Sequence, residues 1–248
     1  MDLGLNGRTV IVTGASGGIG RELARAFAAE GAHVALTYHR SPETAELLAK
    51  EIGERALAVP YRMEDPDSAR ALVDAVLGWT GRIDVLVNNA VRWLPPDPAA
   101  SFEAVPDAAW QDMLRANVEG AVRLSRLVAP VMRERRWGRL IHLSSTLARD
   151  GMAGAEYYGA AKAALHGFSR SAASSLGRDG DILSNVVMLG LTRTETNVHV
   201  TEAEGDHFAA LSALGRLATA AEVAATVVFL ASAANTAITG EVIVTGGA

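Results

Sequence analysis

The sequence predicts an α/β fold: a single-domain doubly wound parallel sheet with helices on both faces. Three observations carry that prediction. Short aliphatic and β-branched runs alternate with longer helical patterns from one end of the chain to the other, the signature of right-handed βαβ units. No Pro/Gly/Ser-rich linker, internal repeat or low-complexity block divides the 248 residues, so one domain is expected over 1–248. The first strand candidate runs straight into a glycine-rich turn, Thr13-Gly14-Ala15-Ser16-Gly17-Gly18-Ile19-Gly20, and a helical pattern begins at once.

The strand candidates are 9–13, 33–37, 56–59, 85–87, 139–143, 184–188 and 241–244. Most are short and nearly continuous in apolar character, as strands covered on both faces should be. Helical patterns fill the gaps at 18–30, 42–52, 67–79, 108–135, 157–176 and 220–230. Two stretches are irregular. Residues 92–106 carry four prolines and are expected to form a loop beside the site. Residues 191–215 are polar, follow a strand and are expected to form a substrate lid. His199 and His207 on that segment have no third ligand nearby in sequence and read as solvated side chains, so no metal site is expected.

Composition removes several function classes. With 49% hydrophobic and 21% charged residues and a net charge of -5, the chain is globular and lacks a basic footprint for nucleic acid. The absence of cysteine excludes disulfides, thiolate catalysis and Cys-based zinc sites. Residues 1–8 do not have the pattern of a signal peptide, and no run reaches the roughly 18 apolar residues that span a bilayer. A cytoplasmic protein with no membrane partner is the expectation. Of the 23 basic residues, only Lys50 and Lys162 are lysines.

The glycine turn points to a dinucleotide. A helix N-terminus offers free N–H donors and a partial positive charge to a pyrophosphate. Glycines let the backbone approach the phosphates and the helix approach the strand. Gly14, Ser16, Gly17, Gly18, Ile19 and Gly20 are therefore candidate cofactor contacts on a Rossmann-type sheet. In such sites an acidic residue at the tip of the second strand selects NAD, whereas arginine accommodates a 2′-phosphate. Here the strand runs into Tyr38-His39-Arg40-Ser41 with no acid. Arg40 can fork onto a phosphate and Ser41 can add a donor, so NADP(H) is expected over NAD(H). A solvated loop arginine is the competing account of Arg40.

A second constellation carries chemistry. Tyr158 and Lys162 stand at i and i+4 on one helical pattern and share a face. An ammonium beside a phenol favours the phenolate, so the Tyr158 pKa is expected to fall toward the range of a general acid/base. Taken alone, Tyr-x-x-x-Lys reads as a surface pair. Ser145, 13 residues earlier, follows the strand candidate 139–143 at its carboxyl end, where ligands sit in open α/β sheets. Its hydroxyl can hold a substrate oxygen while Tyr158 trades a proton with it. Asn117 interrupts a good helical pattern with a residue of mediocre propensity, which suggests a polar task.

Taken in order, these pieces resemble the short-chain dehydrogenase/reductase family, in a compact form similar to the 3-oxoacyl-carrier-protein reductases. The matching motifs are the spacing Thr-Gly-x-x-x-Gly-x-Gly at 13–20, Asn88-Asn89-Ala90, Asn117, Ser145, Tyr158 with Lys162, Gly190-Leu191-Thr192-Arg193-Thr194, and the later 214–217 and 238–240 segments. The resemblance covers essentially the whole chain. It implies Tyr158 as the acid/base, Ser145 as the residue holding the carbonyl oxygen, and Lys162 as the residue that bonds the nicotinamide ribose and tunes Tyr158. Asn117 would anchor a water in a proton relay. Met63, Asn89, Ala90, Gly190, Thr192 and Thr194 join the cofactor contacts on the same ground, and Tyr157 is one residue out of register. It implies a ketoreductase acting on a small-molecule or carrier-bound carbonyl substrate, and a homotetramer packed through the helices expected at 108–135 and 157–176.

Three positions depart from the family pattern. Val91 follows Asn-Asn-Ala where glycine is usual, and Leu189 precedes Gly190 where proline is usual. Arg62 stands where an aspartate usually accepts a bond from the adenine amino group; arginine has no acceptor, so stacking or positive potential near the adenine is its expected contribution. Two other readings remain open: a catalytically silent nucleotide-binding sensor or scaffold on the same fold, and a nucleotide-sugar epimerase or dehydratase, for which little chain follows Gly190.

Overall fold

The computed structural model describes residues 2–95 and 101–246. Seven parallel strands form one sheet in the order β3-β2-β1-β4-β5-β6-β9, and two short strands, β7 and β8, pair separately. The strands are β1 (Thr9–Val12), β2 (His33–Tyr38), β3 (Ala56–Pro60), β4 (Val85–Asn88), β5 (Trp137–Ser145), β6 (Asp181–Leu189), β7 (Thr192–Arg193), β8 (Ala218–Thr219) and β9 (Val242–Thr245). Strand order reverses between β1 and β4, which makes that crevice the topological switch point. The doubly wound α/β fold expected from the sequence is the fold observed.

The helices are α1 (Gly18–Ala29), α2 (Pro42–Ile52), α3 (Pro66–Thr80), α4 (Asp107–Leu114), α5 (Gly120–Glu134), α6 (Leu147–Asp150), α7 (Glu156–Leu176), α8 (Val198–Leu211) and α9 (Ala220–Leu230). Two apolar clusters, one on each face of the sheet, explain why its strands are apolar on both sides. Val10, Val12, Val34 and Leu36 turn to Leu23, Phe27 and Val227; Ile11, Ala35 and Leu86 turn to Leu72, Val76, Leu124 and Met132. Alternate residues of one strand thus serve opposite cores.

Three expectations require correction. The helix expected over 108–135 is interrupted: α4 and α5 flank a π-helical turn at Arg115–Glu119. A π-bulge carries one extra residue in the ladder, and the turn holds Asn117, whose residue is only 3% exposed. Helical periodicity averages over such a bulge. The segment 191–215 is not irregular throughout, since it contains β7 and α8. Ser145 does not follow a strand but ends one, paired with Leu189. Residues 96–100 of the proline-rich segment lie outside the described residues.

Candidate active site

Glycine is required at the first turn by what packs on it. At Gly20 an added Cβ would lie 2.3 Å from the Gly14 carbonyl oxygen, and at Gly18 it would lie 2.4 Å from the Thr194 Cβ. These glycines draw α1 onto β1 and bring the 192–197 segment over the helix start. No side chain caps α1 at Gly17, so its first N–H groups remain available to an anion. A hub of hydrogen bonds fixes the turn. Thr13 Oγ1 accepts from the backbone N–H of Asn89 and of Ala90, both at 2.9 Å, and the Asn89 side-chain amide donates to the carbonyls of Thr13 and Gly14. Thr37 Oγ1 accepts from the Gly14 N–H at 3.0 Å. Asn89 therefore braces the turn against β4. Sequence reasoning named Asn89 but missed the Thr13 and Thr37 hydroxyls, since single buried threonines carry no distinguishing pattern.

Arg40 and Ser41 stand beyond the tip of β2. Arg40 is exposed and has no hydrogen-bond or ion-pair partner among the described residues. Ser41 precedes α2 without capping it. Arg62 lies beyond β3, where its guanidinium donates to Asp65 at 2.6 Å. Asp65 also caps α3 through the Asp67 and Ser68 N–H groups. Arg62 is thus held by a local ion pair. The Met63 carbonyl accepts from Arg123 at 3.0 Å, and Gly120 permits α5 to pack against Met63.

The candidate chemical groups meet at the carboxyl end of β5. Ser145 is the last residue of that strand, and Tyr158 and Lys162 stand one turn apart on α7. Gly159 closes the gap: a Cβ there would lie 2.8 Å from the Leu147 carbonyl, so its absence lets α6, just after Ser145, sit against α7. The Ser145 hydroxyl accepts from the Leu147 N–H at 3.2 Å and stands near enough to the Tyr158 phenol to oppose the effect of burial on it. Lys162, 3% exposed, donates through Nζ to the Leu143 carbonyl at 2.9 Å. Its burial pulls the ammonium down to about 8.

The electrostatics differ from the sequence expectation at Tyr158. Burial pushes its phenol up to about 12, with the Ser145 hydroxyl pulling the other way. The Lys162 ammonium lies 5.8 Å from the Tyr158 ring centroid and is aimed at Leu143. A shared helix face brought the two side chains near, but the strand carbonyl captured the ammonium. Asn117 is clasped to backbone through both side-chain atoms: Oδ1 accepts from the Arg92 N–H at 3.0 Å and Nδ2 donates to the Arg92 carbonyl at 2.8 Å. A cavity of about 10 Å³, roughly one water in size, is lined by Asn117, Lys162, Asn88, Thr13 and Tyr61.

The remaining predicted contacts surround the same crevice. Gly190 follows β6, Thr192 is buried and bonds the Gly190 carbonyl, and Thr194 is held by Asn197. Tyr157 faces elsewhere, stacked on Trp110 at 5.6 Å. Behind the site, His142 is fully buried; its Nδ1 lies 3.1 Å from the Asn88 amide nitrogen and its Nε2 has no partner. Burial pulls this imidazole down to about 4.

A sheet whose switch point holds an uncapped helix start and a glycine cradle, with hydroxyls and an ammonium beside it, defines a Rossmann-type oxidoreductase. Comparison with known proteins agrees. Residues 14–247 match the family described as Enoyl-(acyl carrier protein) reductase. The chain is 34% identical to the 3-oxoacyl-(acyl-carrier-protein) reductase of Escherichia coli (strain K12), over 99% of this chain and 98% of that one. It is 35% identical to Nodulation protein G of Rhizobium sp. (strain N33), over 98% and 97%. The reductase of Aquifex aeolicus (strain VF5) bearing the same 3-oxoacyl description is 32% identical, over 100% and 99%. The chain belongs to the short-chain dehydrogenase/reductase family, and it is an enzyme of the oxidoreductase class. Among the described residues, no helix is long and apolar enough to cross a membrane.

Proposed function

We propose that the protein is an NADPH-dependent ketoreductase that reduces a carbonyl to a secondary alcohol, with Tyr158 as general acid. The observation that carries this reading is the meeting of Ser145, at the carboxyl end of β5, with Tyr158 and the buried Lys162 on α7, beside the switch-point crevice. NADPH supplies the hydride when bound, and the Gly14–Gly20 turn and α1 start would hold its pyrophosphate. Arg40 and Ser41, both uncommitted, would hold the 2′-phosphate. Ser145 and Tyr158 hold the substrate oxygen from two directions. As negative charge develops on that oxygen, the Ser145 hydroxyl stabilises it and Tyr158 transfers its proton to it. The resulting phenolate is favoured if the Lys162 ammonium, held on the Leu143 carbonyl in the structure, turns to the loaded site.

The Escherichia coli and Aquifex aeolicus relatives are named as 3-oxoacyl reductases, whereas the matched family description names an enoyl substrate. A serine hydroxyl beside a tyrosine phenol suits a ketone oxygen, so a 3-oxoacyl thioester or comparable ketone is the favoured class. Incubation with NADPH and matched 3-oxoacyl and 2-enoyl thioesters decides the matter: consumption of NADPH with the enoyl compound alone would overturn this reading. Cofactor choice is tested by kcat/KM for NADPH and NADH. A wild-type preference for NADH, or unaltered discrimination in Arg40→Ala, rejects the assignment of Arg40.

The segment 191–215, whose Thr194 packs on Gly18, serves as the substrate lid in this proposal, and Asn117 supports the relay by lining the small cavity beside Lys162. A homotetramer is proposed through α4, α5 and α7. On α7, Ala160, Ala164 and Gly167 are exposed and available for close helix approach, whereas Ala161 is buried within its own chain. Sedimentation as a monomer at micromolar concentration rejects that assembly.

A further inference from the structure

We propose that Trp93 sets substrate selectivity, favouring ketones that carry a flat aromatic group over saturated ketones of the same size. The inference rests on the ketoreductase reading. The Trp93 indole stands edge-on to the Tyr158 ring, with centroids 4.5 Å apart and planes at 85°. It is the one aromatic ring in such contact with Tyr158 among the described residues. A ketone whose oxygen meets the Tyr158 hydroxyl brings its substituents close to that ring, and the exposed indole stands against it.

The ring is held in place from its neighbour. Asn117 binds both the N–H and the carbonyl of Arg92, and the Arg92 guanidinium lies 3.5 Å from Asp112. Trp93 remains 42% exposed, with Val91 and Leu94 exposed on either side. An open aromatic surface flanked by aliphatic side chains, with the adjacent charge already paired, suits a neutral, flat, polarisable group. Aromatic pairs gain attraction beyond that of buried area alone. Trp110 cannot replace it, because that ring is stacked on Tyr157 and its Nε1 donates to Asp107 at 3.1 Å.

The probes are 2-tetralone and 2-decalone. They share a fused bicyclic carbon skeleton, and in 2-tetralone a methylene insulates the carbonyl from the arene, which keeps intrinsic reactivities close. The wild-type enzyme with NADPH is expected to favour 2-tetralone by about fivefold in kcat/KM. Trp93→Ala is expected to bring the ratio near one through a raised KM for 2-tetralone, and Trp93→Phe to restore most of it. Melting curves confirm that each variant is folded. A wild-type preference for 2-decalone, or an unchanged ratio in Trp93→Ala, overturns the inference. Failure of the underlying reading looks different, with neither ketone turned over. In that event calorimetric affinities for the two ketones in the presence of NADP⁺ apply the same ratio, and equal affinities reject the role of Trp93.

Discussion

The two ends of the central sheet handle polar groups in opposite ways. At the amino end, Asp84 is fully buried and each of its oxygens is spent: it accepts from the Thr9 N–H, from Arg8, and from Arg82 through two nitrogens. Nearby, Arg139 is fully buried and donates to Asp181 and to the carbonyls of Gly138, Ser232 and Asn235. The guanidinium carbons of Arg8 and Arg139 lie 3.7 Å and 4.3 Å from the Trp137 ring centroid. Among the described residues, the buried side-chain atoms without a partner there are Thr9 Oγ1 and His33 Nδ1. At the carboxyl end, Lys162 makes one hydrogen bond with three donors, His142 Nε2 has none, and Tyr158 is held away from its ordinary titration range. Saturated charge networks fix a fold. Bonding capacity left unspent near a crevice marks where a ligand or a reacting atom is to be received.

The largest effect that can break this comparison is at Tyr158. Tyr158→Phe is expected to lower kcat by roughly 10²–10⁴-fold, with cofactor affinity by titration changed by no more than a few-fold. Tyr157→Phe, on the same helix but stacked on Trp110, should be mild. The reverse ranking would assign the chemistry to the wrong tyrosine.

The opposite end should fail in stability and not in chemistry. Asp84→Ala leaves Arg8 and Arg82 without their buried partner. Because both arginines are partly exposed, the expected loss is about 2–3 kcal/mol in denaturant unfolding, with kcat unchanged below the transition. A normal midpoint, or a selective loss of kcat, would erase the distinction between the two ends.

A pH dependence sharpens the contrast. His142 is held at about 4 in the folded chain against an ordinary 6.5, so the unfolded state binds a proton first as pH falls. Its contribution to stability is therefore present above about pH 6.5 and is lost progressively down to about pH 4. His142→Gln should flatten that part of the wild-type stability curve; identical curves would place the imidazole in a wetter setting.

The smallest effect concerns Lys162, held at about 8 against 10.5. Between those values the unfolded chain binds a proton that the folded one does not, so stability rises with pH across that window. Tyr158 and Tyr61, both pushed up to about 12, act in the opposite direction only above about pH 10. Wild type should therefore gain stability relative to Lys162→Met from about pH 8 to 10, and a flat difference would contradict the burial of the ammonium.

The strand–helix order was legible because apolar runs and helical periodicity are local properties, and all seven expected strands occupy the seven-stranded sheet with shifts at their ends. The glycine turn was legible because few other uses of that spacing follow a first strand. Less visible were β7, β8 and α8, where short or mostly exposed segments leave little periodic signal. Asn117 was singled out by poor helix propensity, yet its clasp on Arg92 joins residues 25 apart in the chain. Trp93 was not singled out at all, since a lone aromatic in a proline-rich stretch has no pattern to place it.

By itself the sequence determined the α/β class, the position of the glycine turn and the hydroxyl and ammonium side chains placed near it, because each follows from neighbours a few positions apart. The tertiary structure alone decided which donors and acceptors those residues meet. Lys162 turns to the Leu143 carbonyl, Asn89 braces Thr13, Arg62 pairs with Asp65, and Trp93 stands against Tyr158. Burial then sets the protonation of Tyr158 against the direction its helical neighbour suggested. The physical reason is that desolvation and bond partners depend on every element that closes over a side chain, and those elements come from distant parts of the chain.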